Sequence, residues 1–244
     1  MEWRDEGIVL TARRHGETSA VVHLLTRDHG RHGALVRGAA GKGSRGLWQP
    51  GNRVDATWRG RLEEHLGTFT GELLDARAAG LLGDRTRLAC LAAACALAET
   101  ALPEREPHPL LFEGLRLLTD ALVRDDGWPP LYVRWELVLM AELGYGLDLS
   151  ECAATGATED LAWVSPRSGR AVSRAAGAAY ADRLLPLPPF LLGAAAESGV
   201  EPDAEAVRQG LRLSGYFLER RLFPALDRPV PGARARFLDR MAGR

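Results

Sequence analysis

The stretch RDHGRHGALVRGAAGKGSRGLWQPGNRVDATWRGR, residues 27–61, decides how the chain is read. Two short apolar runs, Gly33–Arg37 and Arg53–Trp58, have the length and alternation of strands, and the glycines between them describe a long flexible loop. Eight of these 35 residues are cationic: Arg27, Arg31, Arg37, Lys42, Arg45, Arg53, Arg59 and Arg61. Only Asp28 and Asp55 oppose them, so the stretch carries +6 and the remainder −7, for a chain total of −1. Positive charge and glycine concentrated on a small β-rich segment form the electrostatic footprint of a polyanion-binding surface.

Working outward, strands are expected at Gly7–Ala12, Ser19–Thr26 and Leu66–Leu73 as well, with tight turns at His15-Gly16-Glu17 and Asp28-His29-Gly30. Five strands in about 70 residues, with the long basic loop after the third, predict an OB-fold barrel. Beyond Gly80 the apolar period changes from two to 3.6. Asp84 caps a helix that continues through Leu88–Leu102 and stops at Pro103; a second opens at Pro109; a third follows Pro129-Pro130 and ends at Gly144-Tyr145-Gly146. These three helices are expected to make a bundle. Residues 147–175 lose the helical period and read as a turn-rich insert, and a last helix capped by Asp203 continues to Pro224. The tail, with Arg234, Arg236, Arg240 and Arg244, reads as a frayed terminus. The fold class is therefore α+β and multi-domain: a five-stranded OB-fold over 1–80, then an all-helical domain over 81–244 carrying the insert.

Composition fits a globular protein, with 26% charged and 46% hydrophobic residues in 244. Thirty of its 31 Lys and Arg residues are Arg, a bias that genomic composition explains as well as function does. Cys90, Cys95 and Cys152 form no C-x-x-C pair, and the start of the chain lacks an apolar signal core, so a reduced cytoplasmic protein without membrane association is expected. Gly41-Lys42-Gly43-Ser44-Arg45-Gly46 matches G-x-G-x-x-G, but Pro50-Gly51 stops any helix that would hold a pyrophosphate there. His29-x-x-His32 lacks a third ligand and reads as two solvated turn residues. Trp58 is expected in the barrel core, while Trp48 suits either core packing or base stacking. No nucleophile elbow or metalloprotease pair occurs, so no catalytic residue and no cofactor is assigned.

In order, Glu6–Leu10, His15–Ser19, Thr26–Gly30, Val36–Ala39, Gly46–Pro50 and Leu66–Thr68 resemble the first half of the RecO family of bacterial recombination mediators. Glu136-Leu137, Leu143-Gly144-Tyr145, Leu147-Asp148-Leu149 and Cys152-Ala153 resemble its second half. The resemblance implies a protein that is not an enzyme. It implies binding of single- and double-stranded DNA, annealing of complementary strands and, with RecR, help in loading RecA onto DNA coated by single-strand-binding protein, whose C-terminal tail docks on the helical domain. The setting is DNA damage, repair and recombination, in the cytoplasm at the nucleoid. Many family members hold zinc through four cysteines in the insert. Here Thr155 stands at the partner position of Cys152 and no cysteine follows, so a zinc-less insert is expected, with Thr155, Thr158 and Ser165 as contributors to its hydrogen bonding. The residues expected at DNA phosphates are Arg13, Arg14, Arg27, Arg31, Arg37, Lys42, Arg45, Arg53, Arg59 and Arg61. An RNA-binding protein and a protein-interaction adaptor without direct DNA annealing are the competing readings.

Overall fold

A computed structural model describes residues 1–39, 41, 44, 46–62, 64–124, 127–193 and 201–243. Five strands come first: β1 (Glu2–His15), β2 (Ser19–Thr26), β3 (Arg31–Val36), β4 (Arg53–Arg59) and β5 (Thr68–Asp75). They close into a barrel in the order β1-β2-β3-β5-β4, with β1 paired to β4. All pairings are antiparallel except β3 with β5, joined in parallel through Leu35 and Thr68. This is the OB-fold that the strand pattern predicts. β1 starts five residues earlier than its apolar alternation indicates, because Glu2–Ile8 lie along β4 while Gly7–His15 lie along β2. An irregularity between Val9 and Thr11 lets one strand serve both neighbours.

Alternate residues fill the barrel: Val9, Val22, Leu24, Ala34, Val54, Ala56 and Trp58 have no measurable exposure. Gly67 (φ +61°) ends the β4–β5 loop where a Cβ would lie 2.4 Å from Trp58 Nε1, so neither the backbone angle nor the space admits a side chain. Asn52 braces the opposite loop. Its amide donates to Gly46 O (2.6 Å) and its carbonyl oxygen accepts from Ala78 N–H (3.1 Å).

The chain divides into two compact units, Met1–Asp126 with Pro231–Arg244, and Gly127–Val230. In the first, α1 (Arg85–Ala101) and α2 (Pro109–Arg124) accompany the barrel. Asp84 caps α1 as its sequence position indicates, accepting from Thr86 N–H (2.8 Å) and Arg87 N–H (3.0 Å). Those donors, with the Arg87 guanidinium, hold the Asp84 carboxyl below its usual range. α1 packs on β1, where Cys95 Sγ lies 3.7 Å from Val9 O.

In the second unit, α3 spans Trp128–Glu142 and α4 spans Ala204–Phe217. The two prolines sit inside the first turn of α3 rather than ahead of it, where a missing N–H costs nothing. The three helices expected to bundle together are thus divided, α1 and α2 in one unit and α3 in the other. Between α3 and α4, buried Glu136 accepts from Ser214 Oγ (2.5 Å). The insert forms β6 (Leu161–Val164) and β7 (Ala171–Ser173), and β8 (Leu185–Pro186), ten residues beyond its expected end, completes a small sheet in the order β7-β6-β8.

The tail is not frayed. Gly232–Met241 forms α5, which packs along α1 and buries Ala233, Arg234 and Phe237. Among the described residues no helix is long and apolar enough to cross a membrane.

Candidate nucleic-acid interface

Strand register gathers part of the expected basic set at one barrel end. Arg14 on β1 faces Ala20 on β2, and Ala20 faces Val36 on β3. With strands about 4.8 Å apart, the backbones of Arg13 and Arg14 lie about 10 Å from the last residues of β3. Arg37 follows directly and begins the long loop. Leu35 N–H donates to Gly67 O (3.1 Å), which brings the 60–67 loop, with Arg61, to the same end. The β1–β2 hairpin, the first residues after β3 and the end of the β4–β5 loop therefore meet around the C-terminal end of β3.

Arg13, Arg37 and Arg61 are exposed there and have no ion-pair partner among the described residues; Arg14 is exposed and donates only to Glu17 O in its own hairpin (3.4 Å). Leu62 and Leu66, both nearly half exposed, belong to the same loop as Arg61. Lys42 and Arg45 lie outside the described residues. Exposed arginines without carboxylate partners among the described residues, carried by the end of β1 and by two loops at one barrel end, suit sequence-independent contact with phosphates.

Four of the expected residues are occupied inside the protein. Arg31 is buried: Nε donates to Leu102 O (2.9 Å) and the guanidinium faces Glu99 (3.7 Å) and Glu104 (3.4 Å). Arg53 bridges Glu6 (3.0 Å) and Asp75 (3.1 Å). Arg27 pairs with Glu113 and lies over the Phe112 ring, 5.4 Å from its centroid. Arg59 pairs with Glu2 (3.0 Å), which keeps the Glu2 carboxyl below its usual range. These arginines hold the barrel together or hold it against α1 and α2, because carboxylates distant in sequence stand within reach of them.

The two histidines are not solvated turn residues. His29 stacks on Trp3 at 4.1 Å, and its Nδ1 lies 2.9 Å from Asp5 Oδ2. His32 is buried among Trp3, Trp58 and Phe69, and neither ring nitrogen has a hydrogen-bond partner among the described residues. Burial first, and then the charges of Arg105 and the neighbouring histidines, push its pKa down to about 4. Trp58 is core as expected; Trp48 is core too, 5% exposed and stacked against Phe69 at 6.4 Å, so neither indole offers a platform for a base.

One constellation left no trace in the sequence. His23 Nδ1 lies 2.8 Å from Glu99, which also faces Arg31, so a polar cluster joins β2 and β3 to the end of α1. Its members are some 70 residues apart, and no local spacing reveals them.

The zinc implied by the resemblance does not fit the insert. Cys152 is its single thiol, and Thr155 and Ser165 spend their oxygens on backbone N–H groups, so a thiolate set is missing. Among the described residues, no three His, Cys, Asp or Glu side chains gather where they could hold a metal ion.

Comparison with known proteins agrees with this architecture. The profile of the family Recombination protein O N terminal matches residues 1–77, and that of Recombination protein O C terminal matches residues 82–228. The chain belongs to the RecO family. Relatives named DNA repair protein RecO include one from Rhodospirillum centenum, 56% identical over 242 residues, covering 98% of this chain and 94% of the relative. Another from Cereibacter sphaeroides (strain ATCC 17029 / ATH 2.4.9) is 54% identical over 243 residues and 99% of each chain. A third, from Ruegeria sp. (strain TM1040), is 53% identical over 245 residues and the whole of both chains. For this RecO-family chain the two family profiles meet between 77 and 82, where β5 gives way to α1.

Proposed function

We propose that the protein is a DNA-repair mediator that binds DNA through the loop end of its OB-fold, anneals complementary single strands and, with RecR, helps load RecA onto DNA coated by single-strand-binding protein. The observation that carries this reading is that the end of β1 with Arg13 and Arg14, the start of the loop after β3 with Arg37 and the β4–β5 loop with Arg61 lie at the same barrel end, all four arginines exposed. In the same reading Lys42 and Arg45, which lie outside the described residues, are further candidates for phosphate contact. Residues 1–80 act as the DNA-binding domain, and the helical part takes the acidic tail of single-strand-binding protein, in the cytoplasm at the nucleoid.

The physical mechanism is charge neutralisation. Guanidiniums that bind phosphates release condensed counterions, and two strands held on one cationic surface repel each other less and pair more readily. That requires no general base, nucleophile or metal. Family membership and relatives of the same length named for DNA repair support this reading. It is tested by anisotropy of labelled single-stranded DNA over a salt series, together with the rate at which complementary strands anneal. Binding that weakens linearly in log–log form, with faster annealing, is expected; absence of binding at low salt would reject direct DNA contact. Equal or stronger binding to RNA of the same sequence would reject the assignment to DNA.

A further inference from the structure

Two turns of the insert repeat one hydrogen-bond pattern. In the first, Cys152 N–H donates to Ala157 O (2.7 Å), Gly156 N–H to Cys152 O (2.8 Å) and Ala157 N–H to Thr155 Oγ1 (3.4 Å). In the second, Ser165 N–H donates to Arg170 O (2.9 Å), Gly169 N–H to Ser165 O (2.8 Å) and Arg170 N–H to Ser168 Oγ (3.3 Å). The glycines take the same left-handed conformation, φ +71° at Gly156 and +74° at Gly169. Matching the turns bond for bond makes Cys152 the counterpart of Ser165, and Thr155 the counterpart of Ser168. Ala153 N–H donates to Ala171 O (2.8 Å) and Ser173 N–H reaches Cys152 Sγ (3.2 Å), which ties the two turns side by side.

A pair of x-x-spaced positions on each of two linked turns is the arrangement by which two C-x-x-C segments enclose zinc. We propose that Cys152, Thr155, Ser165 and Ser168 occupy the four ligand positions of a paired metal knuckle, and that side-chain acceptors for backbone N–H groups hold its turns without metal. One thiol and three neutral hydroxyls make a poor zinc donor set, since structural zinc takes thiolate and imidazole. The hydroxyls serve the backbone instead: Thr155 and Ser168 each accept the N–H two residues on, and Ser165 Oγ accepts Ser168 N–H (3.3 Å). Thr158 takes no part in either turn's repeated pattern. Cys152 Sγ likewise accepts a backbone N–H, that of Ser173 (3.2 Å), so the fourth corner also serves the main chain. Arg170 braces the pair from outside through Asp148 (3.2 Å) and Glu151 (2.8 Å).

The experiment has two arms, both on the full chain and neither dependent on DNA binding. Metal analysis of the native protein is expected to find no stoichiometric zinc, with a thermal midpoint unmoved by a strong chelator; zinc at one ion per chain, or a midpoint that falls on chelation, would overturn the metal-free assignment. The variant Thr155→Cys/Ser165→Cys/Ser168→Cys, refolded with Co²⁺, is expected to take one ion per chain and to show the visible bands of tetrahedral thiolate coordination. A folded variant without those bands would overturn the equivalence of the four positions. Should that variant not fold, Ser165→Ala/Ser168→Ala decides: a lowered thermal midpoint is expected, and an unchanged one would show that these hydroxyls do not hold the turn.

Discussion

Replacing Arg13, Arg37 and Arg61 together by alanine tests the interface most directly. The three side chains are exposed and have no ion-pair partner among the described residues, so the stability change should stay within about 0.5 kcal/mol. Each phosphate contact to a single strand contributes about 0.7 to the log–log salt slope, so the triple variant should lose about 2 from it. Taking 1 M salt as the point where counterion release ceases to help, each contact is worth about 3-fold at 200 mM and about 8-fold at 50 mM. The three together predict affinity losses of about 30-fold and about 500-fold at those concentrations. The assay is anisotropy of a labelled oligonucleotide over a salt series. Its control, Arg174→Ala/Arg183→Ala/Arg208→Ala, removes three exposed arginines of the second unit that pair with Asp160, Asp182 and Glu205. Parallel salt lines for wild type and the first variant, or an equal loss in the control, would show that net charge and not this barrel end governs binding.

Three further outcomes follow from the packing. Arg31→Ala leaves Glu99 without its guanidinium partner in a mostly buried setting, and should cost about 3–5 kcal/mol in urea unfolding while leaving the salt slope of the folded protein unchanged. His32 titrates near 4 in the folded protein and near 6.5 when unfolded, so between those values the unfolded chain binds more protons. Stability from this group is therefore nearly complete above pH 6.5 and falls toward pH 4, by about 3 kcal/mol; His32→Phe should flatten that dependence, and a wild type equally stable at pH 7 and pH 4.5 would contradict it. Phe237→Ala should cost about 3–5 kcal/mol if α5 is a docked helix, whereas a change under about 0.5 kcal/mol would mean a loosely held tail.

The barrel and most helix ends were legible because their causes are local. Alternation in Ser19–Thr26 and Arg53–Arg59, the side-chain cap at Asp84 and the stop at Pro103 each act within a few residues. The second strand agrees with its expected bounds, and the fourth runs one residue past them. The early start of β1 was hidden because Glu2–Glu6 look solvated until β4 lies beside them, and α5 was hidden because its apolar face is narrow and its arginines dominate the reading. The candidate site was legible as a charge concentration and not as a set of residues.

Sequence by itself determined that a small closed barrel precedes helices, that positive charge gathers on the barrel, and that the insert lacks four thiols. Tertiary structure decided which arginines remain available. Arg27 meets Glu113 and Arg31 meets Glu99 across intervals that no spacing rule covers, while Arg13, Arg37 and Arg61 meet no carboxylate among the described residues. The physical reason is that Coulomb attraction and desolvation depend on distance and burial in space, so a cation's role is set only once folding has chosen its neighbours.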